Sequence, residues 1–515
     1  QAVDARAEID LRLGIAFSRF QTQYFREHFG SQLGQMVRSV TYGPCQMPTL
    51  WFCVHRHCQI QAFVPKTYWT LIVILRREAE EFPAEAACGK VWDEAQAKAL
   101  LAQARGQTEG RVTNIARRRV GRQRPLPLNT VALLQKASTS IGVSPGDAMH
   151  YAEQLYLKGV LSYPRTETSK YAPGFDLGAI REALQAAGSP WADVAARVAQ
   201  TQTPPRTDGV DVGDHPPITP VKLATEQQIG DAGAWALYRL VVQHFLATIA
   251  PDCTLGETEL QIDLGGLPLV AKSSRRVDRA FSWCEVTGDV ITEQGPVDLA
   301  WFPNAAVCTV VDASISQRAT EPPKHLSEAD LLGLMEKHGV GTDASMAQHI
   351  SNVQKRGYVQ LQEETRQLVP NALGLALVHA YTLVDPGLVR PTVRASIENA
   401  CSRIAKGEAK KREVVTQALG VFERKFQRFR KRAHKVPVML AVAYNREKRR
   451  TREGGGSAAA EEQWDLAERT TAAISLDDLL RDKASVELRD EESQPRPAAA
   501  PQLKPGATVR IHGLA

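Results

Sequence analysis

The segment Leu161-Ser-Tyr-Pro-Arg-Thr-Glu-Thr168 restricts its own backbone more than any other part of this 515-residue chain. A residue before proline is disfavoured in the helical region, so Pro164 holds Tyr163 extended and fixes the direction of Arg165. A phenol, with an ordinary pKa near 10, needs local positive charge to act as a nucleophile, and Arg165 is the nearest cation in sequence. The alternative is that Tyr163 is a packed strand aromatic and Arg165 a surface charge.

The residues that lead into this segment predict two helices joined by a tight turn. The first is expected to begin at Asn129 and to stop near Gly142, because glycine commonly ends a helix. The second is expected to begin at Ser144, which caps it just ahead of a proline and an aspartate. It should end at Lys158-Gly159, after which residues 160–163 are strand-like.

The same scheme recurs at residues 327–360. Ser327 forms a predicted capping box with the aspartate three residues later, and Gly339 breaks the helix. Thr342 is predicted to cap the next helix, which ends at Arg356-Gly357. This succession is the layout of a winged helix-turn-helix: helix, tight turn, helix, glycine and strand. Two ordinary helical hairpins would give the same pattern.

The rest of the chain alternates between helical and strand-like stretches. Helices are predicted within residues 1–60, 92–105, 128–250 and 327–430, and strands over 68–76 and, as short pieces, over 253–316. Residues 117–124 predict a basic connection. Residues 446–505 are of low complexity, so we expect them to be mostly disordered.

Length and composition indicate a multidomain protein of mildly basic character. A chain of 515 residues exceeds one hydrophobic core, which predicts two to four domains. No apolar run approaches a membrane span. The net charge of +6 is compatible with binding to nucleic acid and equally with an ordinary solvated surface.

Eight scattered cysteines without a Cys-x-x-Cys pair indicate a reducing compartment and no zinc site. Gln1 opens the chain without a leader, so we expect a truncated N-terminus and no secretory signal.

Ser162-Tyr-Pro-Arg-Thr-Glu-Thr168 resembles the active-site signature of the eukaryotic topoisomerase III enzymes, which are type IA DNA topoisomerases. In that family the tyrosine attacks one strand and keeps its 5′ phosphate covalently. Four more segments resemble family motifs in the family's order: Asp4-Ala-Arg-Ala-Glu-Ile-Asp10 with Arg19, Gly43-Pro-Cys-Gln-Met-Pro-Thr-Leu50, Asp214-His-Pro-Pro-Ile-Thr-Pro220 and Leu334-Met-Glu-Lys-His-Gly-Val-Gly-Thr-Asp-Ala-Ser345. The match covers roughly residues 1–430. Pro44-Cys45, where other type IA enzymes carry an arginine, points to the III-beta branch.

The resemblance implies roles for nine residues. Tyr163 would be the nucleophile, while Arg165 and His215 would position the scissile phosphate. An imidazole can donate a hydrogen bond to a phosphate at neutral pH, which agrees with the role of His215. Six residues would contact the nucleic acid: Arg19, Gln46, Lys337, Thr342, Ser345 and Arg356. The last four are also favoured by their positions near predicted helix ends, since the free N–H groups of a helix start attract phosphate. The alternatives for these four are ordinary helix caps and a partner of the helix dipole.

Two further clusters admit more than one interpretation. Asp208, Asp211 and Asp214 could hold a metal ion, although acidic residues in a loop rich in proline and glycine are usually solvated. The run of residues 424–432 mixes cations with aromatics, a composition that suits single strands. An amphipathic helix whose phenylalanines pack inward is the favoured interpretation of that run.

The fold that the resemblance implies is a multidomain α+β toroid with winged-helix-like helical domains and a β-rich arch. Residues 1–60 and 319–430 would form the strand-binding base, and residues 61–120 and 252–318 the arch. Residues 121–250 would form the gate domain with Tyr163, and residues 431–515 a largely disordered tail. The reaction would need no ATP, in agreement with the absence of a Gly-x4-Gly-Lys-[Ser/Thr] sequence.

The family also uses an N-terminal acidic domain, the Toprim domain, whose Asp-x-Asp-x-Glu cluster holds Mg²⁺. No such sequence occurs in this chain, so we expect the domain to be missing and the chain to be incomplete for activity. The implied partners are single-stranded DNA, RNA as a further substrate, and a Tudor-domain protein, in the nucleus and also the cytoplasm. The rival hypothesis is a non-enzymatic winged-helix protein that binds nucleic acid, and a covalent phosphotyrosyl adduct would separate the two.

Overall fold

The computed structural model describes residues 1–33, 41–186, 188–277, 281–289, 291–343, 345–437 and 440. All of them belong to one compact unit, Gln1–Leu480, and a second unit, Arg481–Ala515, lies outside the described residues. Most of the tail predicted over residues 431–515 also lies outside them. Its described beginning does not agree with disorder, because a helix continues to Arg432 and Val436 is buried. No helix in the described part of the chain is both long enough and apolar enough to cross a bilayer.

The helices and the strands of the described residues are each numbered in chain order. The helices are α1 Ala2–Leu33, α2 Gln46–Gln61, α3 Glu94–Arg105, α4 Thr130–Ile141, α5 Pro145–Leu157, α6 Leu177–Leu184, α7 Ala192–Thr201, α8 Glu226–Ile229, α9 Ala232–Thr248, α10 Trp283–Thr287, α11 Glu328–Lys337, α12 Met346–Lys355, α13 Ala372–Val384, α14 Pro391–Ala405 and α15 Lys411–Arg432. The strands are β1 Thr67–Arg77, β2 Glu80–Ala86, β3 Glu109–Arg122, β4 Cys253–Leu264, β5 Leu267–Arg276, β6 Val307–Ala319, β7 Val359–Gln362 and β8 Gln367–Pro370.

Six strands close into an antiparallel barrel in the order β1-β2-β5-β4-β3-β6. Inward-facing residues alternate along each strand, as in β1, where Leu71, Val73 and Leu75 are buried and their neighbours are more exposed. These side chains meet Phe82 and Phe302 in a core of their own, separate from that of the helices. The barrel strands come from two distant parts of the chain, 67–122 and 253–319.

Most helices share a second, larger core. Helix α1 packs against α14 and α15, α4 packs against α11, and α5 packs against α9 and α12. The basic run near the end of α15 is the predicted amphipathic helix, because Phe422 and Phe429 are buried and Phe426 packs against the same core. The sequence therefore predicted its apolar face correctly.

Both helix-turn-helix segments are present, with most of the predicted caps. The side chains of Asn129 and Ser144 accept hydrogen bonds from the first turns of α4 and α5, and Ser327 begins α11 with a capping box. Strands β7 and β8 pair directly after α12, as a wing would. The prediction that Thr342 caps α12 was wrong, because the helix begins at Met346 and its N-cap is Ser345.

Two other predictions need correction. Residues 117–122 are not a connection but part of strand β3, where Arg117 lies opposite Thr258 of β4. The strands of the 253–316 region are long rather than short, with 12, 10 and 13 residues in β4, β5 and β6. The partner of β3 is β4 and that of β6 is β1, both far away in sequence, so local composition did not reveal these ladders. Strands β4 and β5 pair with each other across the turn at Gly265-Gly266.

Candidate active site

Tyr163 lies directly after α5, on a segment that pairs with residues 217–220. Ser162 donates its N–H to the Thr219 carbonyl at 3.0 Å, and its hydroxyl accepts from the Thr219 N–H at 2.9 Å. This pairing brings the Tyr163 ring beside the His215 ring, with centroids 4.6 Å apart. The structure thus places two of the three predicted catalytic side chains in contact.

The segment after Tyr163 is anchored to the start of α4. Thr130 donates its hydroxyl to the Pro164 carbonyl at 2.8 Å, and the same oxygen accepts from the Thr166 N–H at 2.8 Å. On its other side, the Tyr163 ring meets the ring of Tyr156 from α5 edge-on at 5.1 Å. Tyr163 itself remains partly exposed.

Arg165 forms an ion pair with Glu153 of α5. Its Nε donates to the Glu153 carboxylate at 2.9 Å, and the side chain stays 27% exposed. The pair with Glu153 uses Nε and one Nη group of the guanidinium and so orients Arg165. Arg165 therefore lies on the segment of Tyr163 and is tied to α5.

Asp214 joins the loop of His215 to the loop of Tyr163. It accepts from the Thr168 hydroxyl at 2.8 Å and from the Glu167 N–H at 3.3 Å. Burial acts to raise the pKa of Asp214, but the hydrogen bonds from these groups and from the His215 N–H outweigh it, so the pKa is lowered. Asp214 therefore accepts hydrogen bonds as a carboxylate and holds the two loops in register.

The neighbouring acidic residues are also engaged. Asp208 pairs with Arg206, and Asp211 accepts from the Gly213 N–H at 2.9 Å. Across the described residues, no group of three or more histidine, cysteine, aspartate or glutamate side chains is arranged to hold a metal ion. The described residues therefore do not fit the Mg²⁺ that the family resemblance implies, and the acidic loop does not provide a substitute site.

A cleft of about 610 Å³ opens between α1, α2, α12 and α14. It is lined by Val3, Arg6, Ala7, Asp10, Gly14, Ser18, Thr41, Tyr42, Gly43, Pro44, Cys45, Gln46, Thr342, Ser345, His349, Asn352, Arg356 and Arg394. Four of the six predicted nucleic-acid contacts meet there, namely Gln46, Thr342, Ser345 and Arg356.

The cleft residues hold one another in place. Arg356 donates to the Thr41 hydroxyl, and Gln46 donates to the Thr41 carbonyl at 3.4 Å. The Ser345 hydroxyl accepts from the Thr342 N–H at 2.9 Å. These bonds fix polar side chains along the rim before any ligand arrives.

The other two predicted contacts lie outside this cleft. Arg19 is on the exposed side of α1, in a shallow depression that it shares with Arg26. Lys337 is exposed at the end of α11. The structure thus brings four of the six predicted residues together and leaves these two apart.

Comparison with known proteins gives the family. A family model described as DNA topoisomerase matches residues 1–416. DNA topoisomerase 3-beta-1 of Homo sapiens is 40% identical over 431 residues, which are 83% of this chain and 49% of that protein. This chain belongs to the type IA DNA topoisomerases. The resemblance seen in the sequence is confirmed.

Two further matches agree with that family. DNA topoisomerase 3-beta of Arabidopsis thaliana is 38% identical over 448 residues, covering 86% of this chain and 50% of that protein. The chain thus spans about half the length of the curated relatives it matches. A solved structure of full-length topoisomerase I from Thermotoga maritima superposes with a TM-score of 0.59, at 19% identity over 80% of this chain and 69% of the other. That likeness confirms the α+β topoisomerase fold.

The structure of this topoisomerase chain adds residues that the sequence analysis missed. Arg6 lies inside the quoted Asp4–Asp10 motif, and His349 and Asn352 lie on α12, but no role was assigned to them. Their one sequence signal was spacing: His349, Asn352 and Arg356 recur at intervals of three and four, which places them on one helix face. Arg394 had no signal beyond its spacing of four from Glu398, because its other partner, Asp10, is distant in sequence.

Helix α5 connects the Tyr163 segment to the cleft. It precedes that segment and carries Glu153, the partner of Arg165, and it packs against α12, which lines the cleft. On the Tyr163 loop, the pKa of Glu167 is raised, first by loss of hydration and then by the charges of Asp343 and Asp214, while Arg6 acts in the opposite direction.

Proposed function

We propose that this chain carries the strand-binding and strand-cleaving parts of a type IA topoisomerase, with Tyr163 as the nucleophile. The observation that carries the proposal is the contact of Tyr163 with His215, at 4.6 Å between ring centroids, on a segment that follows α5, which packs against the cleft helix α12. Cleavage, passage of another strand and religation would then need no ATP.

The chemistry is an exchange of two phosphate esters. The Tyr163 oxygen forms a bond to the phosphorus of one strand, and the bond from that phosphorus to the 3′ oxygen breaks. In the balanced reaction the proton removed from the phenol equals the proton that the 3′ oxygen takes up as it leaves as a hydroxyl, so no net proton is released. Reversal of the same step reseals the strand, because the tyrosyl ester conserves the energy of the broken bond.

Arg165 and His215 are proposed to bind the phosphate that Tyr163 attacks. Donors that are positioned in advance stabilise the charge that develops on phosphate oxygens. Glu153 supports Arg165 in one orientation, and the hydrogen bonds of Asp214 keep the His215 loop beside Tyr163. Mg²⁺ would supply further stabilisation of phosphate charge in the family. Since the described residues do not fit it, no step here depends on a metal.

The cleft is proposed to hold the single strand. Arg356, Gln46, Thr342 and Ser345 present one cation and several hydrogen-bond donors along its rim. Contacts of this kind go to the phosphate backbone and fix the register of the strand without selecting its sequence. Arg19 and Lys337 remain candidates for contacts further along the strand.

The finer architecture also remains a proposal. The origin of the barrel strands in two segments supports the assignment of residues 61–120 and 252–318 to an arch, with residues 1–60 and 319–430 as base and 121–250 as gate. The wing formed by β7 and β8 supports a winged-helix base. A toroid, RNA as a second substrate, a Tudor-domain partner and a nuclear location follow from the family resemblance.

Covalent trapping tests the proposal against a non-enzymatic binding protein. The chain is incubated with single-stranded DNA and Mg²⁺, alone and supplemented with the acidic domain of the human relative, and then denatured. We expect a DNA-linked protein band in the supplemented reaction. Strand binding without any covalent band in either reaction would favour the winged-helix binding protein.

A further inference from the structure

A network of four charged side chains lies under the strand cleft. Arg394 of α14 is only 2% exposed, and it donates to Asp10 of α1 through Nη1 and to Glu398 through Nη2. Arg6 of α1 donates through Nε to the other oxygen of Glu398 at 2.7 Å. The carboxylate of Glu398 is therefore divided between two arginines, one buried and one at the cleft.

This division leaves Arg6 available for a ligand. Its ion pair with Glu398 uses Nε, and no described residue accepts a hydrogen bond from its two Nη groups. Its side chain is 26% exposed and lines the cleft. A guanidinium held by one edge presents its remaining N–H groups as a fork, which matches the oxygens of a phosphate.

Arg394 prevents a competing arrangement. Arg6 and Asp10 are four residues apart on α1, so their side chains are neighbours on the helix surface. Without Arg394, Asp10 would lose its cation and Glu398 would keep only Arg6, so Arg6 would be the nearest cation for both carboxylates. Arg6 would then be drawn onto these carboxylates and away from the cleft.

We infer that Arg394 is a positioning residue for strand binding: by holding Asp10 and Glu398, it keeps the outer edge of Arg6 free for a phosphate of the nucleic-acid backbone. Arg394 forms the floor of the cleft and need not touch the strand. This inference rests on the proposed function, because it assumes that the cleft binds a single strand.

The test is the salt dependence of binding to a fluorescent oligo(dT), measured by anisotropy over a range of KCl concentrations. Each phosphate contact contributes about 0.7 to the log–log slope for single strands. Arg394→Met and Arg6→Gln should each lower the slope by about 0.7 and weaken binding about five- to ten-fold at low salt. The double variant should be no weaker than either single variant, because both remove the same contact.

Two controls separate positioning from a general loss of charge or fold. Arg12→Met removes an exposed arginine of α1 that pairs with Glu8 away from the cleft, and it should leave the slope unchanged. If Arg394→Met unfolds, Arg394→Met with Glu398→Gln removes the buried unpaired carboxylate and carries the same expectation.

The outcomes distinguish the positioning role of Arg394 from the binding of a strand in the cleft. A folded Arg394 variant that keeps the wild-type slope, or losses that add in the double variant, would overturn the positioning role of Arg394 while leaving strand binding intact. Failure of the wild-type chain to bind the oligonucleotide would overturn the strand cleft itself.

Discussion

Asp214 accepts a hydrogen bond of 2.8 Å from the Thr168 hydroxyl, and this bond joins the loop that carries His215 to the loop that carries Tyr163. The two loops are also held together by the pairing of Ser162 with Thr219 and by the Thr166 hydroxyl, which donates to the His215 carbonyl at 3.1 Å. The relative position of the Tyr163 and His215 side chains therefore depends in part on the Asp214 carboxylate.

Replacing Thr168 with valine should uncouple the two loops. The substitution keeps the shape of the side chain but removes the donor, so the His215 loop loses one of its anchors. A displacement of about 1 Å at reacting groups can cost about 100-fold in rate, so adduct formation should slow by at least about ten-fold. Strand affinity should change little.

The matched control is Thr139→Val, which removes an exposed hydroxyl of α4 bonded to the Gln135 carbonyl. It should leave the adduct rate at the wild-type value. Equal rates for the Thr168 and Thr139 variants would contradict the anchoring role of Asp214.

Arg165→Ala and His215→Ala should slow cleavage far more than they weaken binding. Loss of one donor positioned for developing charge typically costs about 100- to 1000-fold in rate. Single-turnover adduct formation and strand affinity are measured on the same preparations. If the two quantities fall in equal proportion, Arg165 and His215 are ordinary backbone contacts rather than groups that act on the reacting phosphate.

The protein should lose stability in mild acid. Burial lowers the pKa of His244, His349 and His379 to about 4. The unfolded chain takes up these protons near pH 6.5, whereas the folded chain does so only near pH 4. The free energy of unfolding is therefore highest above pH 6.5 and falls as the pH drops toward 4, by roughly 1.4 kcal/mol per pH unit for each histidine.

Urea unfolding between pH 7 and pH 5 measures this dependence. His244→Gln should make the decline shallower, since His244 is buried and donates from Nε2 to the Leu126 carbonyl at 2.8 Å. The exposed His150→Gln variant serves as the control. An unchanged decline in the His244 variant would show that this histidine does not contribute.

Sequence predicted those parts of the fold that depend on neighbouring residues. Asn129, Ser144 and Ser327 cap helices through groups within one turn, so their patterns were sufficient. Strand β3 was missed because its arginines suggest a solvated connection, while its ladder partner β4 begins only at Cys253. Strand pairing depends on such distant partners and on burial, which a local window does not contain.

In the candidate site, too, the sequence predicted some features, and others depend on contacts between distant residues. Tyr163 and His215 were found through motifs, but their contact depends on pairing between residues 161–162 and 217–220. The network of Arg394 with Asp10 joins residues 384 positions apart. No periodicity or spacing in the sequence relates α14 to α1, so only the folded chain shows that they share a cleft.

The most direct test of the central claim is the identity of the DNA end that Tyr163 retains. Single strands labelled at either the 5′ or the 3′ end are incubated with the chain, supplemented as above, and the protein is separated after denaturation. Attack on the 5′ phosphate of the downstream fragment predicts that the 3′ label follows the protein and the 5′ label is released. Tyr163→Phe should bind the strand and retain neither label. Covalent retention of label by the Tyr163→Phe variant, or retention of the 5′ label by the wild type, would contradict the account.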